Sequence, residues 1–210
     1  MRVDRRRFLG STGAAAVAIA PLSQLFARPI SADPIHREFV RIARSEVARA
    51  GRAIRFRDVV GLADFSRHSS EPRFHVVNLE DGTVRSCFVA HGAGSDPENG
   101  GWLTHFSNMV RSNATSRGAF VTQGNLVGRH GQSVRLSGLD RDNSNALQRS
   151  LVLHGAEYCT EEHLGRWGRL GRSKGSLAFP PVEFQALSQR LLEGRLVFAD
   201  CLNVSQANLV

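Results

Sequence analysis

The apolar residues of this chain change their spacing once, close to residue 51. Between residues 34 and 50 they recur every three or four positions, which is the pattern of one buried helical face. Asp33-Pro34 offers a capping side chain followed by a proline for the first turn, and Gly51 stands where the helix should end. The pattern predicts one N-terminal helix over residues 34–50.

Beyond Gly51 the apolar residues form short runs rich in valine, leucine and phenylalanine, separated by turn residues. These runs predict strands over residues 59–65, 74–79, 84–90, 119–123, 133–136, 151–154 and 195–200. Asp81-Gly82, between the second and third runs, is a strong hairpin signal. Helices are expected at 161–166 and 182–192, and a long loop at 91–117. The predicted fold class is mainly β with a few helices.

Residues 1–32 have the composition of an export signal. Arg5-Arg6-Arg7 and Phe8-Leu9 precede an apolar run that is too short to span a bilayer, and Ala32 suits signal cleavage. Consecutive arginines followed by Phe-Leu resemble a twin-arginine signal, with an ordinary secretory signal as the alternative. We expect a signal peptide over 1–32 and one domain over 33–210, exported to the periplasm or cell envelope and not inserted in the membrane after cleavage.

Removal of this segment changes the charge. The whole chain has a formal charge of +8, and residues 1–32, with five arginines and one aspartate, contribute +4 of it. The remaining +4 contains no run of five like charges, so no nucleic-acid partner is expected. Lys174 is the sole lysine of the chain.

Three cysteines, Cys87, Cys159 and Cys201, leave at least one thiol without a partner within the chain. None has the spacing of a zinc motif, and all three are expected in the core.

Histidine precedes glycine three times, at His91-Gly92, His130-Gly131 and His154-Gly155. His154 is the most informative, because an apolar strand leads directly to it and site residues are often found at strand ends. Downstream, residues 168–179 contain too many glycines for a helix and end in an apolar run. Three imidazoles could also hold zinc, as in a zinc-dependent amidase, but they lie 39 and 24 residues apart without a nearby carboxylate pattern.

These last segments carry a specific resemblance. His154-Gly155-Ala156-x-Tyr158, followed by Gly168-Arg169-x-Gly171-Arg172-Ser173-x-Gly175, resembles the signature of the murein L,D-transpeptidase catalytic-domain family. Further matches to that family are Val89-Ala90-His91-Gly92, Phe106-Ser107-Asn108, Gly118-Ala119-Phe120-Val121-Thr122, Gly128-Arg129-His130-Gly131 and Gly138-Leu139-Asp140. The similarity runs from about residue 64 to residue 198 in a fixed order.

The resemblance implies a mainly β catalytic domain that acts on peptidoglycan stem peptides without a cofactor. In that family a cysteine attacks a peptide carbonyl and forms a thioester, which an amine or water resolves. Carried over by position, His154 would be the general base, and Ser173 and Gly175 would shape the nucleophile loop. Backbone N–H groups around Gly175 and Ser176 would be oxyanion donors. Arg172, Gly155, His91 and His130 would line the loop or bind substrate.

The chain departs from the family at the nucleophile. The family's cysteine falls on Ser176, and a serine hydroxyl is a far weaker nucleophile than a thiol unless a base assists it strongly. The sequence therefore predicts a stem-peptide-binding protein with impaired or lost catalysis. The alternative is a serine-dependent acyl transferase or hydrolase that uses Ser176 and His154. Cys159, five residues after His154, is expected to be a core residue rather than a substitute nucleophile.

Overall fold

The structure is a computed structural model that describes residues 33–128 and 131–204. Three α-helices occur in these ranges: α1 (Pro34–Ala50), α2 (Glu161–Trp167) and α3 (Pro181–Arg190). The strands are β1 (Val59–Asp64), β2 (Phe74–Asn78), β3 (Val84–Cys87), β4 (Gly118–Gly128), β5 (Gly131–Gly138), β6 (Val152–Gly155), β7 (Leu177–Phe179) and β8 (Leu196–Asp200). The mainly β fold class with an N-terminal helix is confirmed.

Helix α1 begins and ends as its sequence predicts. The Asp33 carboxylate accepts a hydrogen bond from the Ile35 N–H at 2.8 Å, and Pro34 fits the first turn because its missing N–H would have no helical partner there. At the other end Gly51 has a φ of +54°, which favours glycine, and its N–H donates to the Val47 carbonyl.

All eight strands form one sheet in the order β3-β2-β1-β8-β4-β5-β6-β7. Strand β1 is buried along its whole length because both faces of the sheet are covered there. Its side chains alternate: Val60 and Leu62 face the core beneath α1, whereas Val59 and Ala63 face the core that α3 closes. The sheet is thus a layer between two helical covers.

The two helices cover the sheet unequally. Helix α1 packs Phe39, Val40, Ala43 and Val47 over the half of the sheet formed by β3, β2, β1 and β8. On the same face α1 does not cover strands β5 and β6, because it is only 17 residues long and crosses the other half, whereas Ala178 on β7 packs against Leu164 of α2. The uncovered part of this face is where the functional side chains gather.

The strand predictions agree with the structure except in extent. Strand β4 continues to Gly128, and β3 stops at Cys87, before the predicted end at Ala90. Strand β7 was not predicted as a strand, because three residues are too few to show a period. The predicted signal peptide lies outside the described residues. Within the described ranges, no helix combines the length and apolar character that a bilayer span requires.

Candidate active site

A cavity of about 790 Å³ lies on the uncovered face of β5 and β6, beside the loop that precedes β7. Side chains alternate between the two faces of each strand, and this alternation explains which residues form the floor of the cavity. Ser133 and Arg135 on β5 and Val152 and His154 on β6 point into the cavity, while the intervening Val134 and Leu153 are buried in the core on the other face. Cavity and core are therefore two sides of the same strands.

Ser176 lies at the edge of this floor, immediately before β7. The pairing of Leu153 with Leu177 sets Ser176 opposite Val152, and the Val152 N–H donates to the Ser176 Oγ at 3.2 Å. Ser176 and His154 line the same cavity. The hydrogen bond uses an acceptor lone pair of the serine and leaves its own hydroxyl proton for another partner.

The loop before Ser176 is held in shape by Ser173. The Ser173 hydroxyl donates to the Ser176 carbonyl at 2.5 Å and accepts from the Gly175 N–H at 3.1 Å. The Gly175 N–H is therefore used inside the loop, although the resemblance had implied it as an oxyanion donor. Ser173 thus joins the Gly175 N–H and the Ser176 carbonyl within the loop.

Gly175 has to be glycine for two reasons. Its φ is +106°, and a Cβ there would lie 2.6 Å from the Ala114 carbonyl oxygen. Gly92 approaches the loop from behind, where a Cβ would lie 2.7 Å from the Gly175 Cα. Both glycines allow two backbone segments to lie in direct contact.

The orientation of the His154 ring is fixed by the backbone carbonyl of the next residue. Its Nδ1 lies 2.9 Å from the Gly155 carbonyl oxygen, which can only accept, so Nδ1 carries a proton and Nε2 holds the lone pair of the neutral ring. The Tyr158 ring meets the imidazole edge-on, with centroids 6.5 Å apart. This tautomer is the one that a general base requires at Nε2.

His91, by contrast, is buried and does not line the cavity. Its Nδ1 accepts from the Arg73 guanidinium at 2.7 Å, since arginine can only donate, and its Nε2–H therefore points to the Asp96 carboxylate at 3.3 Å. Burial, followed by the charge of Arg73, lowers the pKa of His91. A neutral His91 thus bridges a buried cation and an anion.

The segment that His91 belongs to supports the loop directly. The Ser173 N–H donates to the His91 carbonyl at 2.9 Å, and the Ala93 N–H donates to the Ser173 carbonyl at 2.8 Å. Arg172 adds a hydrogen bond from its guanidinium to the Asp96 carbonyl. His91 accordingly contributes to the site through the backbone behind the loop.

The other predicted site residues have separate positions. Arg172 lines the cavity while it is hydrogen-bonded to the backbone of Asp96. Gly155 lies at the end of β6 against α3, where a Cβ would be 3.2 Å from the Pro181 Cα, so it serves packing. His130 lies outside the described residues.

Several cavity residues were not predicted from the sequence. Besides Ser133, Arg135 and Val152 they are Leu126, Leu147, Arg149 and Tyr158. The three strand residues could have been found from the two-residue period of β5 and β6, once His154 had fixed which face is functional. Leu147 and Arg149 lie in a turn region whose direction the sequence pattern does not indicate.

No cysteine replaces Ser176 in the cavity. Cys159 is fully buried among Ala90, Leu170 and Ala178, and burial raises its pKa to about 12. Cys87 and Cys201 are half-buried and pack against the larger core. A neutral thiol away from the cavity does not act as a nucleophile there.

The metal alternative gains no support from the described ranges. His91 is committed to Arg73 and Asp96, whereas His154 lies at the cavity wall. Within residues 33–128 and 131–204, no three His, Cys, Asp or Glu side chains are grouped closely enough to hold a metal ion.

Comparison with known proteins defines the family. A family model described as an L,D-transpeptidase catalytic domain matches residues 33–199, so the chain belongs to that family. A search of curated proteins finds no match.

Solved structures similar to this chain include two mycobacterial L,D-transpeptidases. The one from Mycobacterium smegmatis is 16% identical with a TM-score of 0.42 and covers 68% of this chain and 58% of its own. The one from Mycobacterium tuberculosis is 18% identical with a TM-score of 0.41, covering 68% and 57%. The helical cell shape determining protein of Campylobacter jejuni, in a mutant form, is 13% identical with a TM-score of 0.45, covering 81% and 57%. The chain spans 57 to 58% of these three structures.

Proposed function

We propose that this protein binds peptidoglycan stem peptides in the cavity that His154 and Ser176 line, and that Ser176 stands where its family keeps the nucleophilic cysteine. Acyl transfer is then impaired or lost, while recognition of the peptide remains. The observation that carries the proposal is the shared cavity of His154 and Ser176, built on a loop whose backbone is fully supported from behind.

Serine at this position weakens catalysis for a physical reason. A thiol is partly ionised near neutral pH and intrinsically very nucleophilic, whereas a serine hydroxyl has to lose its proton to a well-aligned base as it attacks. A loop shaped for sulfur also holds the shorter C–O bond at a different distance from the carbonyl carbon, and small displacements of a reacting atom cost much rate. Peptide binding depends on the cavity walls and tolerates this change.

The second candidate is an active serine acyl transferase, and the tautomer of His154 favours it. In that reaction the Ser176 Oγ bonds to the peptide carbonyl carbon while its proton passes to the His154 Nε2. The amine leaving group takes that proton as the C–N bond breaks, and an acceptor amine or water then releases the acyl group. The atoms balance without a cofactor.

We also propose export through the twin-arginine route, on the basis of Arg5-Arg6 and Phe8-Leu9. Replacement of Arg5 and Arg6 by lysine should leave the precursor in the cytoplasm, as measured by cell fractionation. Export at the normal rate would favour the ordinary secretory signal.

The direct test of the binding function uses a defined stem tetrapeptide with the mature protein. Calorimetry should show saturable binding that competes with a soluble muropeptide, and intact mass should show no lasting adduct. An adduct mapped to Ser176 would favour the second candidate. Absence of binding to either ligand would contradict the proposal.

A further inference from the structure

We propose that Arg135 and Lys174 form a carboxylate-binding subsite beside Ser176, which selects peptides with free carboxylates over the same peptides with carboxamides. This inference deepens the proposed function and rests on it for the identity of the peptide. The subsite itself is argued from the charges, contacts and strand positions of the cavity.

Every charged residue that lines the cavity, apart from the titratable His154, is basic. These residues are Arg135, Arg149, Arg172 and Lys174, and among the described residues no aspartate or glutamate lines the cavity. Several arginines elsewhere are paired with carboxylates, as Arg49 is with Asp140 and Arg195 with Asp58. A cavity with several cations and no anion favours an anionic occupant.

Two of the four cations are already committed to the protein. Arg149 donates to the carbonyls of Ser107 and Ala114 and to the Ser116 hydroxyl. Arg172 donates to the Asp96 carbonyl. These guanidiniums fix the backbone around the loop, so we do not assign them to the ligand.

The other two are not committed. Arg135 and Lys174 are both exposed, and within the described residues neither side chain makes a hydrogen bond or an ion pair. Lys174 is also the sole lysine among 27 lysines and arginines, and it occurs in the loop that carries Ser176. Their charges are available to a ligand without the loss of an internal contact.

Arg135 and Lys174 line the same cavity as Ser176. Arg135 pairs with Val152, whose N–H donates to the Ser176 Oγ, so these residues form one row from β5 across β6 to the loop before β7. Two strand spacings separate the backbones at the ends of this row by about 10 Å. Lys174 precedes Ser176 by two residues in the same loop. A peptide lying over Ser176 would therefore pass near both cations.

The walls favour a peptide over a small inorganic anion. Leu126, Leu147, Val152 and Tyr158 add apolar surface, which would pack against the aliphatic parts of a peptide but offers nothing to phosphate. Arginine matches a carboxylate with two parallel hydrogen bonds, and lysine supplies a compact charge. The ligand that fits is a short peptide that carries free carboxylates.

The first experiment compares a synthetic stem tetrapeptide with its carboxamide analogue by calorimetry. The native protein should bind the carboxylate form at least tenfold more tightly. Arg135→Gln and Lys174→Gln should each weaken that form by about fivefold and leave the amide form unchanged, and Lys174→Arg should recover most of the loss. Arg85→Gln, an exposed arginine on β3 at the far end of the sheet, is the matched control and should change neither affinity.

The second experiment uses citrate as a peptide-free carboxylate probe. Citrate should protect Lys174 from an amine-directed acylating reagent, which peptide mapping reads cleanly because no other lysine exists. Arg135→Gln should reduce the protection, while inorganic phosphate at the same concentration should protect less.

The two experiments separate the possible failures. Tetrapeptide binding that is the same for carboxylate and amide forms overturns the subsite and leaves the proposed function standing. Citrate protection that depends on Arg135, without any tetrapeptide binding, overturns the proposed function and leaves the carboxylate subsite. Neither peptide binding nor citrate protection overturns both.

Discussion

The two sides of the loop that carries Ser176 differ sharply. Behind it, the backbone of His91 and Ala93 is hydrogen-bonded to Ser173, and His91 is tied to buried Arg73. In front of it, toward the cavity, the side chains of Arg135 and Lys174 make no hydrogen bond or ion pair with any described residue. The contrast separates what holds the loop in shape from what is left for a ligand.

The same contrast separates two identical dipeptides. His91-Gly92 and His154-Gly155 have the same sequence, yet one histidine bridges a buried ion pair and the other lines the cavity. Ligand binding should therefore depend on His154 directly and on His91 only through the shape of the loop. Variants on the two sides should affect different quantities.

The largest effect is expected from Arg73→Met. Arg73 is fully buried and donates to Val89, Arg67 and His91, so its loss leaves two buried acceptors and one half-buried acceptor unpaired. We expect the free energy of unfolding to fall by about 3 kcal/mol or more. Urea unfolding measures it, with the exposed Arg85→Met as control, which should change stability by less than about 0.5 kcal/mol. A loss below about 1 kcal/mol for Arg73→Met would show that the network behind the loop is not structural.

A smaller loss is expected from Gly175→Ala. The new Cβ would meet the Ala114 carbonyl and would also strain a φ of +106°, so we expect a loss of about 2–3 kcal/mol. Gly168→Ala is the matched control, since Gly168 has a φ of +67° with open space around its Cβ position, and it should lose only about 1 kcal/mol. Equal losses for the two variants, measured by urea unfolding, would mean that the contact behind the loop contributes nothing.

The buried His91 also predicts a dependence of stability on pH. Its pKa is lowered in the folded state, so its contribution to stability is complete above about pH 6.5 and is lost as pH falls, because the unfolded chain then binds the proton. Between pH 6.5 and pH 5 the loss should reach about 2 kcal/mol. Relative to the native protein, His91→Gln should flatten the curve of unfolding free energy against pH. If the curves of the native protein and His91→Gln ran parallel, the pH dependence would arise from other groups, such as His75, whose pKa burial lowers to about 4.

The smallest change in stability is expected from His154→Gln, within about 1 kcal/mol, because its ring contributes to the cavity wall rather than to the support of the loop. Its effect should appear in chemistry instead. In a Ser176→Cys background, His154→Gln should slow acylation by a β-lactam by about a hundredfold or more. Unchanged acylation with unchanged stability would remove His154 from the role of base.

Much of this site could be predicted from the sequence, because the motif and the strand signals agree. The run 151–153 leads to His154, and the glycines around Ser173 exclude a helix, so both segments were recognised. What escaped prediction depends on contacts distant in sequence. The sequence around His91 does not show that the distant Arg73 will donate a hydrogen bond to its ring. The sequence around Arg135 does not show that its face of the sheet is the one without a helical cover.

The central claim is that a complete scaffold surrounds a weak nucleophile, and Ser176→Cys tests it most directly. The native protein and the variant are incubated with a carbapenem and followed by intact mass. We predict one adduct on the variant, mapped to residue 176, and none, or far slower acylation, on the native protein, because the imidazole of His154 favours the thiolate. A folded variant that remains inert would show that the scaffold is not competent. A native protein acylated as fast as the variant would show that serine is a working nucleophile here.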